Sequence, residues 1–350
     1  MTTRSRRLST LLLLPLLGLA VPAHAQEKLF QMTVGLGDVS LTKLIFVVAA
    51  DAGLYKKNGL DVAQYIDPYA AETVKRSGVE VPKEFIRRAD GDDVAINIGG
   101  GSFLISSVTI DAKATDRVII ATTDTVSRYH IMSNTSITDP SQLKGKRIGY
   151  TSVGSLTHLM VLMYAKRMGW DPLMDISMVA NGTGVEPMKR GRVDASAADE
   201  VARVNLTKAG YTDLIDLNQF NIPMAGSGIN VQRGWLKNNH EAVARFLKAA
   251  VEAIALVKTD KQAAFASFAK WYGITDPQKQ EEIYKDIAKL PAKPYPAVEG
   301  IKTAMQVYDS HEMRSHKAED FYDSSFMTEL DKSGFIDSLY KGTNVSGKKE

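Results

Sequence analysis

The sequence predicts an α/β protein of two lobes, each a mainly parallel sheet flanked by helices, completed by a helical C-terminal region. Between residues 31 and 231 short apolar strands alternate with helical segments, the pattern of parallel sheets covered on both faces. After Gly234 the pattern becomes helical, with Val243, Phe246, Leu247, Ala250, Val251 and Ile254 spaced as one helix face. Between them, residues 143–168 read as one β-loop-α unit. It runs from a tight turn at Lys144-Gly145 through a strand over 147–150 and a Ser/Thr/Gly loop to a helix capped by Ser155.

The first 25 residues stand apart from this fold. Arg4, Arg6 and Arg7 precede an apolar run over 11–21, and Ala23-His24-Ala25 makes a small-x-small cleavage site before Gln26. That is the layout of a cleavable secretory signal, with an apolar run too short to span a bilayer. The formal charge of +3 comes from the leader, because without its three arginines basic and acidic residues balance at 40 each. Basicity is therefore no argument for nucleic acid. The chain has no cysteine, which excludes a cysteine-linked lipid anchor, disulfides, a thiol nucleophile and a Cys-ligated metal. The expected product is a soluble periplasmic monomer without metal or cofactor.

The first lobe opens with a strand over 31–36, a loop over 37–42, an apolar helix over 43–54 and a second strand over 61–66. Residues 67–93 are less regular, with Pro68 and Pro82, and read as a short helix and surface loop. A strand over 93–98 ends in Gly99-Gly100-Gly101-Ser102 before a helix to about 111. This is neither a dinucleotide fingerprint nor a phosphate loop, since Leu104 breaks the glycine spacing and no Gly-Lys-Ser/Thr follows. A strand over 117–123 closes this part.

The chain then crosses near 123–128 into a second lobe with strands over 127–133, 147–150, 176–179 and 211–217, returning near 220–229. Helices are expected over 239–259, 262–272, 277–289, 298–311 and 324–332. The resulting division is a signal at 1–25, the first part of lobe 1 at 26–124 and lobe 2 at 125–228. Completion of lobe 1 with the C-terminal helices follows at 229–340, and a disordered tail at 341–350.

Four segments resemble the periplasmic substrate-binding proteins of ABC importers, in the group for nitrate, sulfonates, taurine and thiamine-pyrimidine precursors. They are Asp51-Ala52-Gly53-Leu54-Tyr55 through Asn58-Gly59-Leu60-Asp61-Val62; Leu143-Lys144-Gly145-Lys146-Arg147-Ile148-Gly149; Gly154-Ser155-Leu156-Thr157-His158 with Met168-Gly169-Trp170; and Lys189-Arg190-Gly191-Arg192-Val193-Asp194-Ala195. The resemblance implies a type II bilobal fold that closes on a small organic anion or heterocycle. It also implies delivery of that solute to an inner-membrane permease with its ATPase. Service to a sensor or a non-ABC transporter is the alternative. A pyrimidine-precursor synthase-like enzyme is disfavoured, because those relatives carry a cysteine-rich motif.

Strand-end loops facing each other across a hinge supply the candidate ligand contacts. In lobe 1 these are Asp38, Ser40, Thr42, Gly100, Gly101 and Ser102. In lobe 2 they are Ser152, Gly154, Ser155, His158, Asn181, Thr183, Asp199 and Glu200, with Tyr129 near the crossing as a stacking platform. For several a plainer role stands beside ligand contact. His158 also fits packing within its helix, Asp38 a turn, and Asp199 and Glu200 the first-turn carboxylates that complement a helix dipole. The five histidines outside the leader show no metal-ligand spacing, and Gly154-Ser155-Leu156-Thr157 lacks the Gly-x-Ser-x-Gly elbow of a serine hydrolase.

Overall fold

A computed structural model describes residues 28–37, 40–76, 81, 83–88, 95–109, 116–125 and 127–341. The expected signal, the residues after 341 and candidate Asp38 lie outside them.

Two five-stranded sheets carry the fold. The first holds β1 (Phe30–Gly35), β2 (Leu60–Tyr65), β3 (Ile96–Gly100), β4 (Arg117–Thr122) and, much later in the chain, a strand at Ser227–Gln232. The second holds β5 (His130–Ser133), β6 (Arg147–Tyr150), β7 (Ser177–Ala180), β8 (Ala195–Ala198) and β9 (Thr212–Asp216). Calling the late strand β10, the orders are β2-β1-β3-β10-β4 and β7-β6-β8-β5-β9. Each sheet has one reversed strand: β10 pairs antiparallel with β3 and β4, and β5 with β8 and β9. Those are the two strands that arrive from the other sheet. The parallel strands all end at the face where the chain crosses, so a strand entering there must run the opposite way.

The helices are α1 (Leu44–Asp51), α2 (Leu54–Lys57), α3 (Pro68–Arg76), α4 (Gly101–Ser107), α5 (Leu156–Arg167), α6 (Val185–Lys189) and α7 (Glu200–Lys208). The C-terminal set is α8 (Arg233–Asn238), α9 (His240–Thr259), α10 (Lys261–Tyr272), α11 (Pro277–Ile287), α12 (Val298–Val307), α13 (Ser325–Lys332) and α14 (Phe335–Leu339). The stripe read from the sequence on α9 is buried, and Val243, Phe246, Ala250, Val251 and Ile254 join α1 and the first sheet in one core. Burial of six consecutive residues from Leu44 to Ala49 explains why α1 is apolar all round. A second core gathers α5 and β5, but also Leu104 and Ile105 of α4 and Ile301 and Ala304 of α12. α12 thus packs against helices of both lobes.

Two elements depart from the sequence reading. β3 runs on through Gly99 and Gly100, where a loop was expected, because β10 supplies antiparallel partners: Gly228 opposite Gly99 and Ser227 opposite Gly100. In the region after β2 the short helix is as expected, and the departure lies in the described part of the expected loop. There Ile86 bridges back to Ile66 beyond a short 3-10 turn at Lys83–Phe85.

Candidate functional site

The carboxyl end of β3 and the start of α4 in one lobe meet the loop after β6 and the start of α5 in the other, so these two predicted loops form a seam. In the loop after β1, Ser40 Oγ and Thr42 Oγ1 lie 2.8 Å apart. The buried Lys43 ammonium donates to Thr42 Oγ1 and to Ser227 Oγ, both at 3.2 Å. Lys43 thus ties the loop after β1 to the strand that returns from lobe 2. Next to it, the Gly101 N–H bonds the Ala225 carbonyl at 2.7 Å. A Cβ at Gly101 would meet the Ala225 side chain at 2.5 Å, so the chain there must be bare.

Ser102 and Gly154 join the lobes directly. Ser102, fully buried, donates its hydroxyl to the Gly154 carbonyl at 3.0 Å. Gly154 has φ +82°, and a side chain there would collide with Ser106 Oγ. Gly100 abuts Leu156 in the same seam. Ser155 is the N-cap of α5, as its sequence position implies, its Oγ accepting from the His158 N–H at 3.2 Å. The same oxygen takes the Ser152 N–H at 3.4 Å.

His158 Nδ1 lies 3.2 Å from the Gly154 N–H and 3.0 Å from the Tyr308 hydroxyl. A backbone N–H can only donate, so Nδ1 is an acceptor and the imidazole proton sits on Nε2. The ring lies between Tyr150 and Tyr308, with centroids 4.7 and 5.7 Å away. Burial lowers the histidine pKa from 6.5 to about 4. His158 is therefore neutral and holds the Gly154 turn whose carbonyl reaches lobe 1.

A buried charge cluster occupies the crossing. Arg128 Nη1 donates to Asp124 Oδ1 at 3.0 Å, Nη2 bonds Asp124 Oδ2, and Nε bonds Glu200. All three residues are at most 4% exposed. Burial disfavours the charge on Arg128, but the two carboxylates outweigh it and hold the guanidinium protonated. Burial raises the Glu200 pKa, and Arg128 offsets part of that rise. Glu200 thus faces an arginine rather than serving only as a first-turn carboxylate. Asp199 caps α7 through the Ala202 N–H at 2.8 Å.

Of the remaining candidates, Asn181 is half-buried with φ 54°, its N–H bonding the Thr151 carbonyl at 2.9 Å, and Thr183 is buried. Tyr129 is buried in the second core.

Residues 110–264 match the family model described as NMT1/THI5 like. The chain has the periplasmic-binding-protein fold. The alkanesulfonate-binding protein SsuA from Xanthomonas axonopodis pv. citri superposes with a TM-score of 0.59 at 16% identity, covering 79% of this chain and 90% of that one. The nitrate-binding protein NrtA from Synechocystis PCC 6803 gives 0.63 at 13% identity, covering 87% and 89%. The desulfurization enzyme DSZB gives 0.58 at 14%, covering 87% and 99%. At these identities the likeness is one of fold. No curated protein is significantly similar in sequence.

A cavity of about 500 Å³ lies between α3 and α6, and none of the predicted contact residues lines it. Glu72 and Lys75 of α3 line it from lobe 1, and Glu186, Arg190 and Arg192 from lobe 2. Glu186 pairs with Arg190 at 2.8 Å, and Arg192 reaches the Ala180 and Asn181 carbonyls at 3.1 and 3.4 Å. Three cations against two carboxylates leave the cavity lining with one excess positive charge.

Sequence reading named neither Lys43, Asp124, Arg128 and Ser227 nor Tyr308. Their partners lie far along the chain: Arg128 and Glu200 are 72 residues apart, Lys43 and Ser227 are 184 apart, and His158 and Tyr308 are 150 apart. The one local signal was Asp124 and Arg128 standing together in an otherwise uncharged crossing.

Replacing Arg128 by Met should cost about 3–5 kcal/mol of unfolding free energy, because it leaves two buried carboxylates without their cation. A chemical denaturation loss below about 1 kcal/mol would contradict the cluster. For His158 the folded pKa lies below the ordinary one, so its neutral form supports stability above pH 6.5, and that support is lost as pH falls toward 4. The stability difference between the protein and a His158→Gln variant should therefore be constant above pH 6.5 and shrink between 6.5 and 4. A difference independent of pH would show that His158 is not held neutral.

Proposed function

We propose that this chain is the periplasmic solute-binding component of an ABC importer, one that closes on a small organic anion and presents it to an inner-membrane permease with its ATPase. The observation that carries this reading is the seam itself, where Ser102 of one lobe bonds the Gly154 carbonyl of the other beneath two chain crossings. Loops that touch only when lobes come together are the means by which a hinge protein converts ligand contact into closure. The leader-like first 25 residues fit export, and no helix among the described residues is long and apolar enough to cross a membrane.

Charge favours an anion over a neutral heterocycle. The α5 N-terminus opens on the Ser152–Ser155 loop, and Lys75, Arg190 and Arg192 line the cavity between α3 and α6. First-turn N–H groups and the helix dipole favour negative charge by about 0.3–1 kcal/mol each, and cations lining a cavity raise the arrival rate of an anion. Sulfonate, nitrate and carboxylate groups all fit this chemistry, and two proteins of the same fold are named for alkanesulfonate and nitrate. A binding role is favoured over catalysis by the lack of any cysteine. A cysteine-to-serine mutant of DSZB is the form solved with biphenyl-2-sulfinic acid.

A thermal-shift series with alkanesulfonates, nitrate, short carboxylates and pyrimidines tests the reading. A bound anion at a hundredfold excess over its Kd should add about 2.7 kcal/mol of apparent stability, and Ser155→Trp should abolish the shift by filling the seam. Stabilisation by pyrimidines alone would contradict the anion assignment. A shift unchanged in Ser155→Trp would move the site elsewhere.

A further inference from the structure

The chain has 13 methionines and no cysteine, so reversible oxidation of its sulfur can fall only on methionine. An oxidant must reach the thioether to react with it, and burial therefore sorts these residues. The buried ones, Met160 and Met327 among them, are at most 6% exposed. Met163, Met178 and Met305 are half-buried against the second core. Among the described residues Met174 stands apart at 82%, with Met168 next at 37%.

The turn that carries Met174 accounts for this exposure. It follows α5 and leads into β7, and its polar groups hold its own shape. Asp171 Oδ1 accepts the Leu173 N–H at 2.8 Å, and Asp175 Oδ2 accepts the Asp171 N–H at 2.9 Å. The Asp171 carbonyl accepts the Met174 and Asp175 N–H groups at 3.2 and 2.7 Å. The Asp175 carbonyl takes the Gly145 N–H at 2.7 Å, and its carboxylate pairs with Lys144 at 3.1 Å. The turn is thus fixed to the segment before β6, with Leu173 and Met174 exposed on its outside. α5 has 12 residues and rises about 18 Å at 1.5 Å per residue, which puts Met174 beyond the far end of that helix from Gly154.

Met160 is in the opposite situation. It is fully buried, and its sulfur accepts the Ser127 hydroxyl at 3.7 Å, next to the crossing where Arg128 lies. An oxygen added to that sulfur would have to fit inside a close-packed core. An oxygen added to Met174 enters water.

We infer that Met174 is a reversible modification site, oxidised by a hydroperoxide in the folded protein and restored by a thiol-dependent sulfoxide reductase. The sulfur lone pair attacks the terminal oxygen of the peroxide and the O–O bond breaks. The departing oxygen takes up the proton and leaves as water or an alcohol, so sulfur loses two electrons and the peroxide gains them. In the return step two thiols supply the electrons, the sulfoxide oxygen leaves as water and the thiols join as a disulfide. Neither step requires the fold to open.

The test is limited treatment of the full chain with hydrogen peroxide, followed by peptide mass mapping and by the thermal transition. Met174 should take up the first oxygen, at the rate of free methionine, while Met160 and Met327 stay unmodified and the thermal transition stays in place. In urea, which opens every thioether, this order should disappear. Met174→Leu should remove the fast uptake and leave Met168 as the first site, without loss of folding, because the replaced side chain is exposed. Sulfoxide reductases for both epimers, supplied with a thiol, should strip the oxygen from the folded protein, and with no cysteine in the chain the thiol has no other target. Met160 or Met327 reacting as early as Met174, fast uptake that persists in Met174→Leu, a lowered thermal transition after the first oxygen, or a sulfoxide that the reductases remove only in urea would each overturn the inference.

Discussion

Arg128 is among the largest fully buried side chains of the protein, and it lies in the first of the two segments that join the lobes. A lone guanidinium there would carry a desolvation cost of several kcal/mol. Asp124 from the same crossing and Glu200 from the start of α7 must therefore come to it. That requirement draws α7 onto the crossing, so that Val201, the next residue, packs into the core of the other lobe. Two residues further, Arg203 reaches Glu282 of α11 at 2.7 Å. The second crossing is held to the first, with the Thr123 N–H on the Ser227 carbonyl at 2.9 Å and Gly226 bare because the Asp124 backbone lies against it. Charge at the joint and glycine at its contact surface together fix how the two crossings lie against each other.

The seam follows from that arrangement. With the crossings adjacent, the loops after β3 and β6 meet, and Gly100, Ser102 and Gly154 make the contact. Gly154 is pulled from two sides, its carbonyl by Ser102 of lobe 1 and its N–H by His158, which Tyr308 at the end of α12 in turn holds. Because α12 packs on both α4 and α5, the C-terminal region takes part in the seam as well as completing the first core.

Much of this was legible along the chain wherever the causes were local. Strand, small-residue loop and capped helix follow each other within about 25 residues, so the unit from Arg147 to Arg167 and the cap at Ser155 could be read directly. The apolar stripe of α9 was likewise visible. What could not be read was pairing across long separations. Nothing near Arg128 in sequence announces Glu200, and Lys43 looks like an ordinary surface lysine until Ser227 returns beside it. The glycines after Ile98 looked like loop because the strand that pairs with them comes more than a hundred residues later. Tyr129, attractive as a stacking platform in sequence, belongs to a core that only the tertiary fold assembles.

The measurement that bears most directly on this account is the distance between the lobes with and without bound solute. The chain has no cysteine, so Glu72→Cys on α3 and Glu186→Cys on α6 give one spin-label pair across the cavity between these helices and leave its three cations in place. Pulsed dipolar spectroscopy should show a broad or longer distance distribution in the free protein. An anion that raises thermal stability should collapse it to a single shorter distance, with Arg128→Met broadening it again. A distribution that is the same with and without that bound anion would contradict closure about the Arg128 joint.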